Sequence, residues 1–121
     1  ILVDLGSPAS IDMTYTGAAD IYLGDASSQI YEFLHTPRPA LFANPNQLQW
    51  QNDPDFAHWR CGPVFTRIDE LDAALDAAVA GHARYEEEQR RLFEYSISVT
   101  ATPAPARASD AIAAMLGAAR L

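Results

Sequence analysis

The stretch Ala19-Asp20-Ile21-Tyr22-Leu23-Gly24-Asp25-Ala26-Ser27-Ser28-Gln29-Ile30-Tyr31-Glu32 points to the fold class of this chain. Ile21, Tyr22 and Leu23 form a short apolar run closed by Gly24, which reads as a buried strand and its turn. Ser27 or Ser28 then starts a helix running to about His35, with Ile30, Phe33 and Leu34 on its apolar face at the i, i+3, i+4 spacing. Pro37 and Pro39 stop it. The stretch thus passes from the carboxyl end of a strand to the amino end of a helix, the edge at which open α/β sheets bind ligands.

Upstream, Ile1 to Leu5 is apolar and ends at Gly6, Ser7 and Pro8, so it is expected to be another strand. Ser10 is expected to cap a short helix over Asp12 to Ala18. Downstream, Ala40 to Ala43 reads as a strand, Asn44 to Trp59 as a polar, proline-containing loop rich in aromatic residues, and Val64 and Phe65 as a last short strand after Gly62 and Pro63. Strands alternating with helices, and apolar on both faces, indicate crossover units on a parallel sheet covered from both sides. The expected fold is α/β: part of a doubly wound, Rossmann-like parallel sheet with a helical C-terminal extension. The segments Ile1–Leu5, Ile21–Leu23 and Ala40–Ala43 should lie adjacent in its core.

A complete sheet of this kind has about six strands, and the chain does not begin with Met. It therefore reads as a piece of a longer protein, with an N-terminal domain of the same chain missing. An open sheet edge left by the cut would promote self-association.

The rest of the chain reads as helix. Ile68, Leu71, Leu75 and Val79 repeat at helical spacing, with Asp69 to Asp76 on the wet face and Gly81 interrupting. Ala83 to Tyr95 is a second amphipathic stretch, with Tyr85, Leu92 and Tyr95 near one face and Glu86 to Arg91 solvated. Thr100 to Ala106, with Pro103 and Pro105 among small residues, reads as a linker. Ser109 is expected to cap a last helix through Ile112, Met115 and Leu116. This divides the chain into a sheet unit (1–80), an amphipathic helix (81–99) and a linker with a terminal helix (100–121).

The 121 residues carry 16 acidic and 8 basic side chains, a net charge of −8, which disfavours binding to nucleic-acid phosphates. No apolar run reaches the roughly 18 residues that span a bilayer. Cys61 is the lone cysteine, and His35, His58 and His82 stand in no ligand spacing. Neither a metal nor a cofactor is expected, and the reducing cytoplasm is the natural compartment.

The candidate site is Asp25, Ala26, Ser27, Ser28 and Glu32. The first turn of the helix offers main-chain N–H groups and the positive end of its dipole to a phosphate. Ala26, Ser27 and Ser28 are small enough to let a pyrophosphate approach, and both serine hydroxyls can donate to it. Glu32 falls four residues after Ser28, opposite the apolar face, where its carboxylate can accept from ribose hydroxyls. The same residue types also serve as ordinary N-caps, and a glutamate there as a solvated helix residue. Asp25 either orients the loop for a substrate or bonds neighbouring N–H groups. Arg38 reaches either a phosphate or a carboxylate. Trp50, Phe56, His58 and Trp59 either line a pocket, with His58 as a base, or cover the sheet edge. Cys61 reads as a packing residue, since no partner base is apparent.

The run Ala19 to Ser28, followed by Glu32 and then Arg38-Pro39-Ala40-Leu41-Phe42, resembles the C-terminal nucleotide-binding domain of GT-B enzymes. It is most similar to the CDP-glycerol glycerophosphotransferase group, which carries an Asp, a small or aromatic residue, Ser-Ser and then an acid in this helix. It also resembles the UDP-N-acetylglucosamine 2-epimerases. The likeness spans Ile1 to about Ala78, with Gly62-Pro63-Val64 matching the closing part of such domains. It implies that Ser27 and Ser28 hold the diphosphate and Glu32 the ribose of a nucleotide-activated sugar or polyol donor. A transferase acting on cell-envelope polysaccharide, in the cytoplasm or peripheral to the inner face of the membrane, is implied for the parent protein. A sugar-nucleotide epimerase, or a non-catalytic interaction module using the acidic helices, is the alternative. The chain departs from the epimerases in lacking their Gly-Gly, and from the glycerophosphotransferases in having Ala26 where a bulkier residue is common.

Overall fold

A computed structural model describes residues 2–118. Three parallel strands, β1 (Tyr22–Gly24), β2 (Ala40–Ala43) and β3 (Val64–Phe65), form an open sheet in the order β1-β2-β3. Leu23 pairs with Leu41, and Phe42 with Val64. Among the described residues five α-helices accompany them: α1 (Thr14–Ala18), α2 (Gln29–Phe33), α3 (Leu71–Ala80), α4 (Glu86–Ser96) and α5 (Ala104–Ala118). The chain is thus mixed α/β with a small parallel sheet and a C-terminal helix.

Strand alternation sends β2 into two cores. Ala40 and Phe42 pack with Ile30, Phe33, Leu34, Trp59, Cys61 and Leu92 on one face, while Leu41 and Phe65 meet Ala74 and Ala78 on the other. Helix α2 has only five residues, too short to stand alone. Each fully buried Phe or Leu contributes about 1.5–3 kcal/mol, so Ile30, Phe33 and Leu34 hold it in place. Gly62 is required by close approach: a Cβ there would lie 1.9 Å from the Ala40 carbonyl oxygen.

The expected strand at the N-terminus is absent. Ile1 lies outside the described residues; residues 2–5 form no strand, and Leu5 is 96% exposed. Asp4 explains this: its carboxylate accepts from the main-chain N–H of Gly6 (2.9 Å) and of Ser7 (2.8 Å) and from the Ser7 hydroxyl. This local turn, with Gly6 at φ 124°, competes with extended pairing. Ser10 does not cap α1. It belongs to the 3₁₀ turn Pro8–Ser10, and α1 follows Met13, itself at φ 67°.

Three helical expectations also change. On α3 the buried residues are Ala74 and Ala78, leaving Leu75 and Val79 exposed, as is Ile68 in the 3₁₀ turn that precedes the helix; the small alanines let the helix sit close on Leu41. On α4 the buried residues are Leu92 and Gln89, whereas Tyr95 is exposed. The expected linker is partly helical: α5 starts at Ala104, with Pro105 in its first turn, where a missing N–H costs nothing, and Ser109 lies inside it.

The loop before β3 is more ordered than its composition suggests. Pro54–Cys61 forms a 3₁₀ segment kinked at Phe56, and Asp53 caps it by accepting from Asp55 N at 2.9 Å. The Asp53-Pro54 pair is the sequence signal that announces it.

Candidate functional site at the carboxyl edge of the sheet

The turn from β1 to α2 is anchored through its backbone. The main-chain carbonyl of Asp25 accepts from Trp59 Nε1 at 2.9 Å and from His58 Nε2 at 3.0 Å. The second contact requires the Nε2–H tautomer of His58. Burial holds the His58 pKa below 6.5, outweighing the raising effect of the Asp25 carbonyl, so the ring is neutral where it packs. Asp25, Ala26 and Ser28 are exposed and Ser27 half-buried. Ser27 Oγ accepts from Gln29 N at 3.3 Å, and the Ser28 carbonyl accepts from Tyr31 N at 3.1 Å.

A cavity of about 420 Å³ opens where the three strands end. Leu23, Ala43, Phe65 and Leu71 give it apolar walls, and Asp25, Thr66 and Arg67 stand among its polar groups. Arg67 is held by a two-pronged pair with Asp69 (2.9 and 2.8 Å). Glu70 accepts from Thr66 N (2.9 Å) and Arg67 N (3.2 Å), fixing the segment after β3. Nothing in the spacing of Thr66 and Arg67 marked them as neighbours of Asp25; the sheet order alone brings them there.

Glu32 lies elsewhere. It is half-buried beside a separate cavity of about 460 Å³ lined by Asp20, His35, Thr36 and Arg38. The structure therefore places Asp25 at the strand-end cavity and Glu32 at another; Ala26, Ser27 and Ser28 lie between them in the chain and line neither.

Arg38 contacts main-chain carbonyls. Its guanidinium donates to those of Thr36 (3.2 Å), Gly17 (3.3 Å), Thr16 (2.9 Å), Phe33 (2.9 Å) and Ala19, and lies 4.0 Å from the centre of the Phe33 ring. A rigid fork of five donors is suited to clasping the carbonyl ends of α1 and α2. Gln89, expected to be solvated, is 0% exposed. Its Nε2 donates to the carbonyls of Cys61 (2.8 Å) and Arg38 (3.0 Å), and its Oε1 accepts from Arg38 N at 3.2 Å. A lone Gln among charged neighbours carries no sequence signal for this.

His58 and Trp59 are buried in an aromatic cluster with Phe42 and Phe56, so they cover the sheet. Cys61 is buried, and burial pushes its thiol up to about 12, as suits a packing residue. Among the described residues no group of three or more His, Cys, Asp or Glu is placed to hold a metal ion, and no helix is long and apolar enough to cross a membrane. No protein-family model, curated protein or solved structure matches the chain.

Proposed function

We propose that the chain is the nucleotide-diphosphate-binding part of a transferase that moves a sugar or polyol-phosphate group from an activated nucleotide donor. On this reading the sheet is one half of a doubly wound sheet. The observation that carries it is the small-residue turn after β1, next to a cavity at the carboxyl ends of three parallel strands. That edge is the usual ligand position in open parallel sheets.

The turn Asp25-Ala26-Ser27-Ser28 brings two hydroxyls and main-chain N–H groups to the diphosphate, with Ala26 leaving room. Glu32, four residues after Ser28 and within α2, accepts from the ribose hydroxyls. In the transfer step an acceptor oxygen bonds to the donor group as the old bond breaks: the glycosyl C–O bond for a sugar, releasing the nucleoside diphosphate, or the pyrophosphate P–O bond for a polyol phosphate, releasing the nucleoside monophosphate; either way charge builds on the departing nucleotide. Hydroxyls and amide dipoles already oriented toward it lower the barrier.

Titration of CDP, UDP and ADP against their parent nucleosides tests this reading. The diphosphate should add affinity over the nucleoside for at least one base. No saturable binding by any of the three diphosphates would overturn it.

A further inference from the structure

A further cavity, of about 550 Å³, opens where residues 47–51 pass over Trp59, Val64 and Tyr85. The geometry points to a site for a neutral sugar ring in this groove. The inference stands whether or not the chain binds a nucleotide, because the two cavities share only Thr66 among their walls.

The chemistry of the walls argues for it. Gln47, Gln49 and Gln51 all line the groove and are exposed. Each amide offers two donors and an acceptor, the complement of hydroxyls that both give and take a hydrogen bond. Trp50 stands 5.8 Å from Trp59 with the rings inclined at 71°, and Tyr85 adds a third ring. The half-buried Trp50 and Tyr85 offer apolar faces to the C–H side of a sugar, with the buried Trp59 backing Trp50. The lining residues include no carboxylate. Their one cation, Arg60, is turned onto the Gln51 carbonyl at 3.2 Å. A phosphate or a carboxylate ligand would want a cation aimed into the cavity; a neutral polyhydroxy ring does not.

The groove is also pre-shaped. Asn44, buried at the end of β2, accepts from Leu48 N (2.9 Å) and donates to the Leu48 carbonyl (3.0 Å). This clasp closes a turn in which Gln47 holds φ 52°, a conformation that glycine adopts more easily than a side-chain-bearing residue. An amide therefore sits on the wall at a position where the backbone alone would favour glycine. Pre-organised walls of mixed aromatic and polar character are typical of small-molecule sites.

The chain has two tryptophans, Trp50 and Trp59, and both line the groove, so intrinsic fluorescence reports directly on its occupancy. The whole chain is titrated with methyl glucoside, methyl N-acetylglucosaminide, the anionic methyl glucuronide and inorganic phosphate. A neutral glycoside should give a saturable change in emission, half-complete at or below about 10 mM. Gln49→Ala and Gln51→Ala should each weaken it about fivefold to tenfold, with melting temperature unchanged because both side chains are exposed. A response to phosphate or glucuronide alone, no saturable response to either neutral glycoside, or parental affinity in both variants would overturn the inference.

Discussion

Trp59 Nε1 donates to the Asp25 carbonyl at 2.9 Å, fastening the turn after β1 to the buried aromatic cluster beneath it. The candidate site is therefore only as rigid as this contact and its neighbour from His58. Trp59→Phe removes the donor and part of the ring. It should cost about 2 kcal/mol of stability, read from urea denaturation. An unchanged midpoint would show that the turn does not depend on the indole.

Gln89 joins α4 to the sheet through three hydrogen bonds to Arg38 and Cys61. Gln89→Met fills similar space and leaves those main-chain groups buried without partners. The expected loss is on the order of 2–4 kcal/mol. If the variant were as stable as the parent, the amide would be a spectator to packing by Leu92.

The pH dependence of stability follows from His58. Its native pKa lies below the unfolded value of 6.5 because burial disfavours the charged ring. Between those two values the unfolded chain holds the extra proton, so stability rises with pH there. The contribution is complete above pH 6.5 and is lost as pH falls below it. The urea midpoint should drop from neutral pH to about pH 5, and His58→Gln should flatten that drop. An equal slope in the two proteins would assign the acid sensitivity to other groups.

What could be read from the sequence follows from where the physical causes lie. Ala40–Ala43 was visible as a strand because a buried parallel strand is apolar along its length; Ile21 to Leu23 carries the same apolar signature, yet β1 is the sheet edge and Leu23 is 54% exposed, so it is not the buried strand expected. Leu2, Val3 and Leu5 share that composition, yet Asp4 captures the next two N–H groups, a local competition that apolar counting ignores. The stripe on α3 was misjudged for a related reason. Leu75 and Val79 are more hydrophobic than Ala74 and Ala78, but the sheet accepts the smaller side chains. The separation of Asp25 from Glu32, and the clasps made by Arg38 and Gln89, depend on long-range packing that one sequence does not display.

The central proposal is that Asp25, Ala26, Ser27, Ser28 and Glu32 serve one nucleotide, although Asp25 and Glu32 line separate cavities. Calorimetric titration of CDP, UDP and ADP into the parent protein and into Glu32→Ala, with melting curves for both, tests it most directly. The account predicts that the nucleotide bound best loses about 1.5–3 kcal/mol of affinity in the variant, while stability changes by no more than about 0.5 kcal/mol. Equal affinity in the two folded proteins, or no binding to either, would contradict it.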